Sequence, residues 1–347
     1  MKPVPALFPL SWLYGAGVAL RNLLYDWKVL PAEKINAPVI SIGNITAGGT
    51  GKTPVVSLLV NRLVGKNVRC AIVSRGYKRK TRGLVEVSDG LSVKTNAAIA
   101  GDEAFQLATR MPKAVIVVDE NRVNGARYAV DRLHAQAVVL DDGFQHRSLD
   151  RDLDVVLIDA GHPPFSMAML PAGYRRDVLS SLKRADAVLL TKIRPGMDIE
   201  GLKKEVRRYS DAKIFSSSLT TTSFKRAKTG FSVDLNSIKG KHAVAFCGIG
   251  QPESFRESLE ELGIIVRSMR TFEDHHPYSQ LDLQHVAAEQ EKINAEYVVT
   301  TEKDLARLSS IEISEHVPLF YLEVEIAVHE EQEWNALIDS VLSTRHE

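Results

Sequence analysis

Residues 46–53 read TAGGTGKT, and they stand between two apolar runs, PVISIGN before and PVVSLLV after. A buried strand, a glycine-rich turn and a buried helix in that order leave few folds open, because only the turn can meet a ligand. The strict phosphate-binding loop is G-x-x-x-x-G-K-[ST]. Here its first position is Thr46, followed by Ala47, Gly48, Gly49, Thr50, Gly51, Lys52 and Thr53. The glycines let backbone N–H groups turn inward around phosphate oxygens, and the helix that follows presents its positive end. Lys52 is placed to reach the β- and γ-phosphates, and Thr53 to put its hydroxyl on Mg²⁺. Pro54 falls in the helix's first turn, where a missing N–H costs little. A flexible glycine turn is the bland alternative, and it leaves the Lys-Thr pair unexplained. The loop reads as a site for a nucleoside triphosphate.

Downstream, VRCAIVS, AVIVV, AQAVVL, DVVLID and ADAVLLT are apolar throughout, the pattern of strands buried on both faces. Helix-like segments such as DEAFQLATRM and NRVNGARYAVDRLH separate several of them. This alternation predicts an α/β fold, a mostly parallel sheet of the P-loop NTPase type with helices on both faces. Near residue 213 the texture changes to KIFSSSLTTTSFKRAKTGFSVDL, with a turn at Lys228-Thr229-Gly230, which suggests an exposed two-stranded β-ribbon. A second βα series, from HAVAFCGIG to VPLFYLEVEI, makes a smaller α/β unit closed by a helix near the end. The expected organisation is an amino-terminal segment at 1–30, a P-loop domain at 31–212, a ribbon linker at 213–236 and a C-terminal α/β domain at 237–347.

A chain of 347 residues, 44% of them hydrophobic, can bury a sizeable core in two domains. Its net charge of +1 supplies no global field for nucleic acid, and none is expected as a partner. Cys70 and Cys247 each sit inside an apolar run and fit buried thiols in a reducing compartment better than a disulfide framework. Residues 4–20, VPALFPLSWLYGAGVAL, carry no charge. That run falls short of the about 20 apolar residues a membrane span needs, and Pro9 interrupts it. Trp12, Tyr14, Tyr25 and Trp27, beside Arg21 and Lys28, suit an amphipathic helix lying at a membrane interface. A helix packed on the protein's own core is the competing reading, and a cleaved signal peptide is a third.

The stretch AQAVVLDDGFQH is an apolar strand ending in two carboxylates, the arrangement that holds Mg²⁺ beside a phosphate-binding loop. Asp141 and Asp142 are the candidates. Adjacent side chains at a strand end point to opposite faces, so one favours the metal while the other anchors a neighbouring loop. Arg75 and Arg122 are candidates for bidentate contacts with phosphates of ATP or substrate. The run Lys78, Arg79, Lys80 and Arg82 reads as meeting an acidic membrane surface or a substrate phosphate, or as a solvated charge run.

Eight blocks, in order along nearly the whole chain, resemble the tetraacyldisaccharide 4'-kinases of Gram-negative bacteria. They are GNITAGGTGKTP, SRGYKRK, GDEAF, LDDGFQH, MLPAGYRRD, CGIGQPESF, FEDHHPY and TTEKDLARL. The resemblance implies ATP-dependent, Mg²⁺-assisted phosphorylation of the 4'-hydroxyl of tetraacyldisaccharide 1-phosphate, giving lipid IVA. It implies a peripheral enzyme, a monomer, at the cytoplasmic face of the bacterial inner membrane, with the amino-terminal helix on the bilayer surface. Asp102, in GDEAF, matches the acid that takes the hydroxyl proton, and His275, in FEDHHPY, matches a histidine that works with it. Without the resemblance, Asp102 reads as a helix cap, and His275 or His276 as a satisfied core residue. Where the family block has LPAGxLREP, this chain has LPAGYRRD, so Asp177 stands where a glutamate is expected. Its shorter reach bears on any part it takes in holding the metal.

The rival reading is a membrane-associated P-loop ATPase switch that recruits protein partners. The deviant loop of such ATPases carries a lysine where this chain has Ala47, which counts against it. ADAVLLTKIRP is similar to the guanine-reading motif of GTPases, but Arg194 occupies the expected aspartate position, which favours ATP. CGIGQPE lacks the third glycine of a dinucleotide fingerprint, and the His275, His276 and His285 spacing fits no zinc pattern.

Overall fold

The structure is a computed structural model that describes residues 4–343. The first three positions of the expected 1–30 segment, and the last four of 237–347, lie outside the described residues. Two units divide the chain. The first runs to Leu219 and takes up the chain again from Ile326; the second is Thr220–Glu325.

The first unit contains α1 (Phe8–Asp26), β1 (Val39–Asn44), α2 (Lys52–Gly65), β2 (Cys70–Ser74), β3 (Val85–Asp89) and α3 (Ala97–Ala100). It continues with α4 (Asp102–Arg110), β4 (Val115–Val118), α5 (Arg122–Asp131), β5 (Ala137–Asp141), β6 (Leu153–Asp159), β7 (Ala187–Thr191), α6 (Ile199–Arg207) and the start of β8 (Lys213–Arg226). Its strands lie in the order β8-β7-β6-β1-β5-β2-β4-β3. All neighbours are parallel except β3 against β4. Successive strand residues feed opposite faces, as the two-residue pleat requires. Ile40, Ile42, Ile72 and Ile116 join one apolar cluster with Leu59 and Leu63 of α2 and Leu107 of α4. Val39, Val73, Val117 and Leu140 join a second with Val123, Ala126 and Ala129 of α5. Helices therefore cover both faces, and the expected mostly parallel α/β sheet is present. Cys70 and Cys247 are both buried and unbridged. Burial pushes each thiol up to about 12.

The second unit contains β9 (Ser232–Val233), β10 (His242–Cys247), α7 (Pro252–Glu261), β11 (Ile265–Thr271), α8 (Gln280–Ile293), β12 (Tyr297–Thr301), α9 (Glu302–Arg307) and most of β13 (Leu319–Val328). Its parallel strands run β11-β10-β12-β13. The ribbon expected at 213–236 takes a particular form. Residues 213–216 of β8 are a regular strand paired with β7, β13 is its other neighbour in the sheet, and Phe224 and Lys225 pair antiparallel with Val233 and Ser232. The chain then returns to the first unit. The last helix, α10 (Glu331–Ser343), buries Trp334, Ile338 and Val341 in the same cluster as Ile40 and Leu59, and Trp334 meets Phe215 edge-on at 5.3 Å. The 237–347 grouping thus differs from the division in space, because the apolar stripe of α10 is complementary to the first unit's sheet.

Candidate active site

The parallel strands of the first unit all end at one edge, where α/β sheets bind ligands. β1 leads into the loop at 46–53, β2 into Arg75, β5 into Asp141 and Asp142, β6 ends at Asp159, and β7 at Thr191. Within the loop, Gly48 and Gly51 have φ of +116° and +84°, values that a side chain would strain. Thr46 is not among the left-handed residues. The position that departs from the strict motif therefore needs no glycine, and Thr46 instead bridges to Arg175. Asn44 Nδ2 donates to Thr50 Oγ1 at 2.7 Å, and Ala47 N donates to the Tyr174 carbonyl at 2.6 Å. Lys52 and Thr53 open α2.

The two adjacent carboxylates divide as their strand-end geometry dictates. Asp141 accepts from Ser74 Oγ at 3.1 Å. Asp142, at φ +56°, lies 3.6 Å from Lys52 Nζ and is gripped by the Arg176 guanidinium, one nitrogen at 2.8 Å. Their electrostatics separate accordingly. Burial, with Glu103 and Asp142 nearby, pushes the Asp141 carboxyl up to about 6. Burial would raise Asp142 as well, but Lys52 and the Arg176 hydrogen bond outweigh it and hold that carboxyl well below the usual range.

Asp102 is the first residue of α4, and the cap is Gly101, whose backbone makes no side-chain capping bond. The cap reading of Asp102 therefore does not describe this helix. Gly101 is required: a Cβ there would stand 2.9 Å from the Tyr77 carbonyl and 3.1 Å from Gly76 C. That approach brings the SRGYKRK and GDEAF blocks together. Arg75 and Arg122 line one cavity of about 230 Å³ with Tyr14, Arg21, Asp142, Gln145, His146 and Arg176. Arg122 is 2% exposed, donates to the Asp119 carbonyl at 2.9 Å and leaves Nε without a partner. Its burial lowers the guanidinium to about 10, opposed by Asp141 and Asp142. His146 is lowered to about 3, by burial and then by Arg122. Four arginines and a histidine around one small space make a receptor for anionic oxygen.

Other assignments move. Arg79 does not join a solvent-facing basic run, since it pairs with Glu120 at 2.7 Å and donates to the Gly83 carbonyl. Asp177 is 1% exposed and accepts from Asn22 Nδ2 at 3.0 Å and Gln145 Nε2 at 3.3 Å, so it ties α1 to the 144–147 segment. His275 belongs to the second unit, where Arg307 and Lys303 approach its ring. Sequence reasoning missed Arg176, although it stands in the quoted MLPAGYRRD block beside Asp177. It also set Lys192 aside, and the structure gives that residue work. Its ammonium donates to the Gly49 carbonyl at 2.5 Å and to Asp159 at 2.7 Å, while Thr191 Oγ1 donates to the Thr50 carbonyl at 2.8 Å.

Comparison with known proteins points to a single family. The family described as tetraacyldisaccharide-1-P 4'-kinase matches residues 4–343. The tetraacyldisaccharide 4'-kinase of Chlorobaculum parvum is 41% identical over 308 residues, covering 87% of this chain and 84% of the relative. That of Chlorobium phaeovibrioides is 38% identical, covering 96% of each chain. A solved structure of LpxK from Aquifex aeolicus, described as in complex with ATP, superposes with a TM-score of 0.79 at 32% identity, covering 97% of this chain and 98% of that one.

Proposed function

The chain belongs to the tetraacyldisaccharide-1-P 4'-kinase family, and from that premise we propose how its residues transfer phosphate from ATP to the 4'-hydroxyl of the lipid disaccharide. The enzyme is a lipid kinase of lipid A biosynthesis. The observation that carries the residue assignments is the convergence of Lys52, Asp142 and Arg176 beside the arginine-lined cavity. The loop from Thr46 to Thr53 cradles the β- and γ-phosphates, with Lys52 spreading the charge that grows on them in transfer.

Thr53, Asp141 and Asp142 offer oxygen ligands only, which suits Mg²⁺. Burial first, and then the charges of Glu103 and Asp142, raise the Asp141 carboxyl, and a divalent cation beside it would favour its charged form. Thr53, Asp141 and Asp142 would hold the cation, which would supply neutralisation of the charge that grows on the phosphates in transfer. Arg75 and Arg122, with Arg176 as a neighbour, hold phosphate oxygens of ATP or of the acceptor. Asp102 takes the hydroxyl proton, a role in which geometry contributes more than basicity. His275 is assigned as its helper from its place in the FEDHHPY block.

Membrane association follows from the substrate, which carries four acyl chains and stays in a bilayer. No helix among the described residues is long and apolar enough to cross a membrane. Helix α1 buries Ser11 and Asn22 and exposes Leu10, Trp12, Leu13 and Leu20, an apolar outer face suited to an interface. We assign it to the cytoplasmic face of the inner membrane, with the protein acting as a monomer. The test uses radiolabelled ATP, Mg²⁺ and tetraacyldisaccharide 1-phosphate in detergent micelles, wild type beside Asp102→Ala. Label on the lipid in the wild type, and its near loss in the variant, supports the assignment. Hydrolysis of ATP with no labelled lipid overturns it and favours the membrane-associated switch.

A further inference from the structure

The FEDHHPY and TTEKDLARL blocks are separated in sequence, yet both hang from one carbonyl in the second unit. His275 N donates to the Gly248 carbonyl at 3.1 Å, and Arg307 Nη1 donates to the same oxygen at 2.7 Å. Arg307 also donates to Asp304 Oδ1 at 2.8 Å. Asp304 is fully buried and is held in turn by Gly248 N at 3.1 Å and Thr301 Oγ1 at 2.6 Å. The guanidinium therefore has a fixed direction, and the Arg307 side chain is 4% exposed. Its other nitrogen, Nη2, lies 3.2 Å from His275 Nδ1.

A guanidinium has donors and no acceptor, so the ring nitrogen it meets must be the acceptor. We propose that Arg307 is a positioning residue that fixes His275 in the tautomer with its hydrogen on Nε2. Lys303 Nζ stands 3.5 Å from Nε2 and is donor-only as well, so the two cations favour opposite tautomers. Arg307 prevails because it is closer and pinned at two other points, whereas the lysine contact sits at the outer limit of a hydrogen bond. The Asp274 carboxylate, 3.9 Å from Nε2, favours hydrogen on the same atom. His275 itself has φ +65°, a left-handed conformation in which its N–H is held by the Gly248 carbonyl.

With hydrogen on Nε2 the ring presents a donor there. It can hold and orient an anionic oxygen, a carboxylate or a phosphate, but it cannot remove a proton at that atom. This deepens the reading of His275 as the helper of the proton-accepting acid and rests on that reading. His275 is then an orienting group, and proton removal falls to the acid alone.

The experiment is long-range ¹H–¹⁵N correlation on the full chain labelled at histidine, with the His275 signals identified by their loss in His275→Gln. The wild type should show Nδ1 unprotonated and Nε2 protonated. Arg307→Met should mix or reverse the pattern and lower kcat by about tenfold or more, with KM for ATP unchanged, and Arg307→Lys should recover part of both. Hydrogen on Nδ1 in the wild type, where no variant's folding enters, overturns the proposal. So does an unchanged tautomer in Arg307→Met. The stated tautomer together with full activity in His275→Ala upholds Arg307's role and sinks the catalytic assignment of His275, so the two failures are distinguishable.

Discussion

At the scale of single residues, the phosphate loop is held from outside as well as shaped from within. A trans peptide is planar with its C=O and N–H on opposite sides. By pinning the Thr50 carbonyl, Thr191 makes the Gly51 N–H point in the opposite direction across the C–N bond, and Lys192 does the same for the Gly49–Thr50 peptide. Lys192 is itself in the left-handed region, φ +58°, a backbone cost consistent with a site that needs the side chain in one place. Lys192→Met and Asp159→Asn are each expected to weaken binding of a non-hydrolysable ATP analogue by about tenfold, measured by calorimetry. Because the two act as one clamp, the double variant should lose no more than either alone. Unchanged affinity in the single variants, or losses that multiply to about a hundredfold, would remove the clamp from the account. This pair was not legible in the sequence. Lys192 was dismissed because Arg194 replaces an expected aspartate, and its actual partner lies 33 positions earlier, reached only because β6 and β7 are neighbours.

At the scale of elements, the legible parts are those written in local pattern. The loop between β1 and α2, and the acids at the end of β5, follow from apolar runs broken by Gly, Lys-Thr and Asp-Asp. Helix α1 was legible as an aromatic and cationic segment, but its orientation was not, because its anchors are polar residues scattered in an apolar run. Ser11 Oγ donates to the Met169 carbonyl at 3.0 Å, Tyr14 OH to the Arg176 carbonyl at 3.0 Å, and Arg21 to the Gln145 carbonyl at 2.7 Å. Those partners flank Arg176 and His146, so the helix that faces outward with Trp12 also backs the arginine-lined cavity. Trp12 is 75% and Trp27 67% exposed, and burying a large apolar side chain contributes about 1.5–3 kcal/mol. Trp12→Glu combined with Trp27→Glu should therefore lower partitioning onto anionic phospholipid vesicles by roughly a hundredfold or more, read by co-sedimentation. ATP-analogue binding in solution should stay as in the wild type. Equal sedimentation of variant and wild type would mean that another face meets the bilayer.

At the scale of the whole molecule, the chain leaves the first unit after Leu219 and re-enters it at Ile326. Reading along the sequence groups 237–347 together because nothing local distinguishes the closing helix from its predecessors. Its stripe of Trp334, Ile338 and Val341 is ordinary for an amphipathic helix, and which sheet it covers is a tertiary choice. The first unit's need for it is physical: without α10, Val55, Leu59, Phe215 and their neighbours would lose an apolar cover. Arg62 of α2 and Lys66, the residue that follows the helix, both reach Asp339 at 2.6 Å, but those partners are partly exposed and contribute little beside the tryptophan. Trp334 is 1% exposed, so Trp334→Ala should cost about 3–5 kcal/mol, the range for deleting a large aromatic from a core. The loss should be local to the first unit. Hydrogen–deuterium exchange followed by peptide mass spectrometry should show faster exchange in peptides from β1, β7 and α2, with peptides from β10 and β12 unchanged. Faster exchange confined to residues 237–325 would instead assign α10 to the second unit and restore the division that sequence order suggests.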